Sequence, residues 1–243
     1  MKEICPRVNE EKLSVFSLIA EDFSTPIKND PAFNSKWELL FNYPGVWSIA
    51  WYRIAHFLHT KNFKILARMI MGLFTKVDIH PACQIGRRVF IDHALGVVIG
   101  ETAIVGDDVL IYQGVTLGGV HLQKVKRHPT IGNHVVIGGG AKVLGDIYIG
   151  NNSKIGANSV VVHDVAANST ALGIPAKVVK KHDTMPLDHS NLNDTNAKMF
   201  RYITKRICAL EKTLQEQNIQ IPAKEKKLEK TYEELQELIE LCD

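Results

Sequence analysis

An aliphatic residue recurs at every sixth position through the middle of this chain. The series runs Ile79, Ile85, Ile91, then Ile99, Val105, Ile111, Leu117, then Ile131, Ile137, Val143, Ile149, Ile155, Val161. Glycine follows it at Gly86, Gly100, Gly106, Gly118, Gly132, Gly138, Gly150 and Gly156, and small residues such as Ala103, Val109, Val115, Ala141, Ser153 and Ser159 stand four positions after it. A period of six matches neither a 3.6-residue helix nor an indefinitely alternating strand. It matches a short strand and a corner, repeated three times per coil, so that equivalent aliphatic side chains stack inside a triangular prism. A sandwich of short strands is the competing arrangement, but its spacing is longer and less regular. Hexapeptide spacing is the signature of a parallel β-helix, whose usual form is left-handed, against the general crossover rule. At about 18 residues per coil, residues 77–175 make roughly four to five coils.

Two interruptions break the phase. It slips by two residues across His93-Ala94-Leu95-Gly96-Val97-Val98, and a longer excursion over residues 119–130 leaves the coil. Loops that break a rigid repeat are natural places for chemistry.

The flanks have another period. Trp37, Leu40 and Phe41, then Trp47, Ile54, Phe57 and Leu58, predict helices over about residues 34–75, with Pro44-Gly45 as a break. Residues before Phe33 read as mixed, with a turn at Asn29-Asp30-Pro31. After Pro175 the coil is expected to give way to a polar linker and two heptad-like helices, Ile203/Ile207/Leu210/Leu214 and Leu228/Tyr232/Leu235/Ile239/Cys242, split by Pro222. These seams suit partner helices and packing on their own subunit equally well. The expected organisation is a helical domain over 1–76, a β-helix over 77–180, and a linker with C-terminal helices over 181–243.

Composition narrows the function classes. The 243 residues are 45% apolar and 23% charged, ordinary for a globular protein. A net charge of +3, from 29 basic and 26 acidic residues, gives no argument for nucleic acid. The apolar run near Ile65 is interrupted by Arg68 and is too short for a bilayer, so no membrane role is expected. Met1-Lys2-Glu3 opens no secretory signal. Cys5, Cys83, Cys208 and Cys242 form no CxxC pair and fit a reduced, cytoplasmic setting.

Two histidines and two aspartates stand out by placement. Asp78 opens the coil, and Asp92-His93 sits at the first slip, fifteen positions later and near one coil length. That spacing puts Asp78 and His93 on adjacent rungs of one edge, where a carboxylate fixes an imidazole's tautomer and leaves its other nitrogen as a general base. Arg127-His128 closes the excursion, where arginine suits a substrate carboxylate held by two parallel hydrogen bonds.

The stretches His80-Pro81-Ala82, Ile91-Asp92-His93-Ala94, Gly100-Glu101-Thr102, Gly114-Val115-Thr116-Leu117-Gly118-Gly119, Arg127-His128-Pro129 and Gly173-Ile174-Pro175-Ala176-Lys177 together resemble serine O-acetyltransferase, a hexapeptide-repeat acyltransferase. The resemblance covers about residues 30–180; Gly-x-Pro-Ala-Lys is common to many acyltransferases, whereas Asp-His-Ala, Val-Thr-Leu-Gly-Gly and Arg-His-Pro in this order are more specific. It implies acetyl transfer from acetyl-CoA to L-serine, giving O-acetyl-L-serine for cysteine synthesis, with no permanently bound cofactor or metal. It implies that His93 is the general base and Asp78 its orienting carboxylate. Arg127 and His128 then bind the serine carboxylate, Asp30 and Asp92 lie near its ammonium, and Gly119, Gly139, Lys154, Ala157 and Lys177 line the acetyl-CoA groove. It also implies feedback inhibition by L-cysteine and sites between subunits of a trimer. The short helical part argues for a homotrimer rather than a hexamer. The ending Leu241-Cys242-Asp243 replaces the isoleucine that many members use to engage O-acetylserine sulfhydrylase, so a stable complex with that enzyme is not expected.

Three rivals remain at this point. A γ-type carbonic anhydrase uses the same coil with three histidines on zinc. His93 and His128, with His80, His121 or His134 nearby, have a tempting spacing, although that family's histidine pair five residues apart is missing. A sugar or antibiotic acetyltransferase shares the coil, but Asp30 and Arg127-His128 suit an amino acid zwitterion better. A non-enzymatic scaffold would use the C-terminal heptads.

Overall fold

The computed structural model describes residues 13–181 and 195–217. The chain divides into two compact units, one ending at Thr195 and the other starting at Asn196.

The first unit opens with five helices: α1 (Val15–Asp22), α2 (Thr25–Asn29), α3 (Glu38–Phe41), α4 (Pro44–Thr60) and α5 (Lys64–Phe74). The last three fall within the region expected to be helical. The first two correct the reading of residues before Phe33 as mixed. Their signals are caps rather than periods: Ser14 accepts the Ser17 N–H at 3.1 Å, and Pro26 stands in the first turn of α2.

The coil follows as fifteen short strands in three sheets. The first sheet holds β1 (Asp78–Ile79), β4 (Val98–Ile99), β7 (Thr116–Gly118), β10 (Lys142–Leu144) and β13 (Val160–Val161). The second holds β2 (Gln84–Ile85), β5 (Ile104–Val105), β8 (Thr130–Ile131) and β11 (Tyr148–Ile149). The third holds β3 (Phe90–Ile91), β6 (Leu110–Ile111), β9 (Val136–Ile137), β12 (Lys154–Ile155), β14 (Ser169–Gly173) and β15 (Ala176–Lys181). All pairings are parallel except β14 with β15. This is a left-handed parallel β-helix with a helical N-terminal region. Its register displays both interruptions: Asp78 pairs with Val98, Val98 with Thr116, and Thr116 with Lys142. Successive turns therefore take 20, 18 and 26 residues.

The hexad pattern fills the prism. Ile99, Val105, Ile111, Leu117, Ile131, Ile137, Ile149 and Ile155 are at most 1% exposed, and so are Ala103, Val109, Val115 and Ala141 from the small-residue series. Each fully buried aliphatic side chain is worth about 1.5–3 kcal/mol relative to exposure. At the corner from the second sheet to the third, Arg88, Asp108, His134, Asn152 and Asn168 all take φ between 54° and 57°. Asp and Asn tolerate this left-handed region better than most residues.

One face of α4 lies along the first turn of the coil. A Cβ at Gly45 would fall 1.9 Å from the Ile91 carbonyl oxygen, so only glycine admits that approach. Tyr52 donates to the Cys83 carbonyl at 2.7 Å. Arg53 reaches the Ile85 and Gly86 carbonyls, each at 2.6 Å, and meets the buried Asp22 carboxylate at 3.0 and 3.2 Å. Glu21 pairs with Arg87 on the same corner. These contacts fix the helices, and Asp30 with them, against the coil.

Residues after Pro175, read as linker, begin with strand β15, folded back on β14. No hexad marks it, because its partner is the preceding strand rather than the turn below. Helix α6 (Thr195–Glu216), in the second unit from Asn196 on, carries Ile203, Ile207, Leu210 and Leu214, all substantially exposed. The second heptad pattern, residues 228–242, lies outside the described residues. No helix among those described is long and apolar enough to cross a membrane.

Candidate functional site

Two edges of the prism bound the first sheet. The edge from the third sheet into the first opens with Asp92-His93. The slip of two residues is absorbed there, with φ of 57° at His93, 63° at Ala94 and 71° at Gly96. The Asp92 carboxylate accepts the His93 N–H at 2.9 Å, which holds the turn. The His93 side chain is 70% exposed, and its Nε2 lies 3.7 Å from Asp92 Oδ2, an electrostatic contact beyond hydrogen-bond length. Asp78 pairs with Val98, five residues beyond His93, where this corner enters the first sheet. The expected pairing would set Asp78 beside His93. Among the described residues, however, no hydrogen bond or ion pair joins Asp78 to His93, and the carboxylate in contact is that of Asp92.

Asp30 belongs to the same neighbourhood. Its carboxylate accepts from the Ala32 N–H at 2.8 Å and from the Tyr43 hydroxyl at 2.6 Å. Burial, then the hydrogen bond to Asp30, then the charges of Asp30, Glu38 and Asp92, raise the Tyr43 pKa. Burial, then Asp92 and Asp30, do the same to Tyr112. Asp30 and Asp92 thus share the electrostatic surroundings of both phenols. Sequence reasoning found the aspartates and missed both tyrosines, which carry no local signal.

Further up this edge, the Gly114, Gly140 and Asn158 N–H groups donate to the carbonyls of Leu95, Gln113 and Gly139, each at 2.8 Å. That ladder aligns Gly139 and Ala157 above the His93 corner. Lys154 is buried on β12, and Lys177 lies on β15; neither stands on the corner itself.

The other edge, from the first sheet into the second, carries Gly100-Glu101-Thr102 and, one turn above, Arg127-His128. Arg127 donates through Nη2 to Glu101 at 3.0 Å and through Nη1 to the Gln123 carbonyl at 2.9 Å. Two of its five N–H donors are thereby engaged. His128 is 7% exposed, and its ring lies over Gly100, where a Cβ would fall 2.0 Å from Nε2. Gly119 faces the same nitrogen and the Arg127 side chain. Burial, then Arg127 and Lys126, lower the His128 pKa. His80 is on this edge one turn below, its pKa lowered by burial and by Arg68.

His93, His128 and His134 thus occupy three different edges, and His134 is a left-handed corner residue 4.0 Å from Asp108. Among the described residues, no three His, Cys, Asp or Glu side chains group as a metal ion requires.

Residues 128–163 match the model for the bacterial transferase hexapeptide (six repeats). Over 216 residues the chain is 47% identical to the serine acetyltransferase of Synechococcus elongatus, covering 87% of this chain and 88% of the relative. The chain belongs to the serine acetyltransferase family. Among solved members, soybean serine acetyltransferase complexed with serine matches with a TM-score of 0.65 at 43% identity, covering 68% of this chain and 70% of that one. A serine acetyltransferase complex with cysteine matches at 0.66 and 41%, covering 71% and 73%. A complex with CoA matches at 0.63 and 42%, covering 68% and 70%. Within this serine acetyltransferase-family chain, Asp92-His93 and Arg127-His128 lie on the two edges of one sheet.

Proposed function

We propose that this enzyme transfers acetyl from acetyl-CoA to the hydroxyl of L-serine, giving O-acetyl-L-serine and CoA, the first step from serine toward cysteine. The carrying observation is the pairing of acidic groups beside an exposed imidazole on one edge with Arg127-His128 on the other, in a chain related over most of its length to serine acetyltransferases. Asp30 and Asp92 take the ammonium, and Arg127 and His128 take the carboxylate. His93 removes the hydroxyl proton as the serine oxygen forms its bond to the acetyl carbon. The carbon–sulfur bond then breaks, and the proton passes to the departing thiolate. Asp78 orients the imidazole. Cys83 is fully buried, and among the described residues no serine or cysteine hydrogen-bonds to His93, so direct attack is favoured over an acyl-enzyme. Gly119, Gly139, Lys154, Ala157 and Lys177 are assigned to the acetyl-CoA groove. The proposed domains are residues 1–76, 77–180 and 181–243, in a cytoplasmic enzyme. Release of CoA with a panel of hydroxylated acceptors tests the assignment; a preferred acceptor lacking the amino acid backbone would reject it.

The working unit is a homotrimer. Within one chain, the width of the first sheet separates His93 from Arg127-His128. A neighbour related by cyclic threefold symmetry supplies the complementary edge and closes the ring. Mixing inactive His93→Ala chains with inactive Arg127→Ala chains should therefore restore part of the activity. A mixture as inactive as its parents, despite subunit exchange, would exclude a shared site.

L-Cysteine presents the same ammonium and carboxylate as L-serine, with sulfur in place of oxygen. It should inhibit competitively with serine. Inhibition undiminished at saturating serine would place cysteine at another site.

A further inference from the structure

We propose that Thr102 holds His128 as a neutral imidazole with its proton on Nε2, and that this Nε2–H is the donor offered to the carboxylate of the acceptor amino acid. The second half rests on the acetyltransferase reading above; the first stands on hydrogen-bond geometry.

The argument is one of donors and acceptors. The Thr102 N–H points at His128 Nδ1 at 3.2 Å. A backbone N–H can only donate, so Nδ1 presents a lone pair to it. Thr102 Oγ1 lies 2.9 Å from the same Nδ1. That oxygen also accepts the backbone N–H of Arg127 at 3.0 Å and of His128 at 3.2 Å. A hydroxyl has two acceptor positions and one proton. Both acceptor positions are filled, so the proton is directed at Nδ1. Nδ1 thus receives two donors and holds no proton of its own, which leaves the ring proton on Nε2.

Protonating Nδ1 would set its new N–H against both donors. Burial and the charges of Arg127 and Lys126 oppose the imidazolium too; His80 adds to them and Glu101 acts the other way. His128 is therefore a fixed donor.

Nε2 is left available. Every buried side-chain nitrogen or oxygen among the described residues has a hydrogen-bond partner. Nε2 has none among them, so it is not fully buried. It lies against the bare Cα atoms of Gly100 and Gly119, where a Cβ would come within 2.0 and 3.1 Å. The run Gly100-Glu101-Thr102 now has a reason at each position. Glycine makes room for the ring, glutamate pairs with Arg127, and threonine orients His128.

The test combines a spectrum with kinetics. Long-range proton–nitrogen correlation on 15N-histidine-labelled enzyme, with His128→Gln to assign the signals, should show a bare Nδ1 and a protonated Nε2. That state should persist from about pH 5 to 8, where ordinary histidines titrate. Thr102→Val should raise the serine KM roughly tenfold and leave the acetyl-CoA KM unchanged, and Thr102→Ser should restore the wild-type value. An Nδ1–H tautomer or an imidazolium in the wild-type enzyme would overturn the proposal. So would a Thr102→Val variant with wild-type serine KM, or with both KM values raised alike. A bare Nδ1 in an enzyme that acetylates no amino acid would overturn the donor half alone and the functional reading with it.

Discussion

Replacing His93 by alanine is expected to lower kcat by about 10² to 10⁴, the contribution of a positioned general base. The KM for acetyl-CoA should change little, because nothing in the proposed groove depends on the imidazole. The side chain is 70% exposed, so its removal uncovers no core. The backbone is the one complication: φ at His93 is 57°, a region that alanine enters at a cost and asparagine more readily. His93→Asn removes the base while respecting the turn, and it should show the same loss of kcat with wild-type thermal stability. Comparing Asp78→Asn with Asp92→Asn then identifies the orienting carboxylate. Asp92 is in contact with the ring, while Asp78 pairs with Val98 in the strand that follows the corner. A His93→Asn enzyme with kcat within about threefold of wild type would remove His93 from the proposed mechanism.

Truncating Arg53 to alanine should destabilise the protein by about 3–5 kcal/mol, the usual effect of breaking a buried ion pair from one side. Arg53 is 6% exposed and Asp22 1%, and the variant strands that carboxylate together with the Ile85 and Gly86 carbonyls. With about 2–4 °C per kcal/mol for a domain of this size, the melting temperature should fall by roughly 10 °C. The pH dependence carries a further signature. Burial already pushes the Asp22 pKa up, against the opposing pull of Arg53, and without Arg53 it rises further. A carboxyl whose folded pKa exceeds its unfolded one binds protons preferentially in the folded state, so stability grows as pH falls. The deficit of the variant should therefore be smaller at low pH than at neutral pH. The double replacement Arg53→Met with Asp22→Leu should recover much of the loss, since no charge is left unpaired. A single variant within about 1 kcal/mol of wild type would show that the pair does not hold the helices to the coil.

The coil was legible in the sequence because its information is local. One aliphatic residue in six must face inward on every turn, so Ile79 to Val161 announce the prism wherever the chain goes next. The slip at His93 and the excursion before Thr130 were equally visible, as departures from a counted period. The chemistry at those breaks followed from residue type: an imidazole beside a carboxylate, and an arginine beside a second imidazole. Elements without a period were not legible. Helices α1 and α2 are marked by a cap and a proline, and β15 by its pairing with β14 across a turn.

Only the tertiary structure decided how the site residues divide. Counting residues put Asp78 and His93 on adjacent rungs, whereas the register pairs Asp78 with Val98 and the corner's left-handed turn brings Asp92 against the ring. Tyr43 reaches Asp30 across thirteen residues, and Thr102 reaches His128 across twenty-six. No spacing rule links such pairs, because each is set by the length of an intervening corner or loop. The repeat by itself determined what lies inside the prism, since burial there depends on position within six residues. What meets on its outside depends on how many residues each corner and loop inserts, and that register exists only once the turns are stacked.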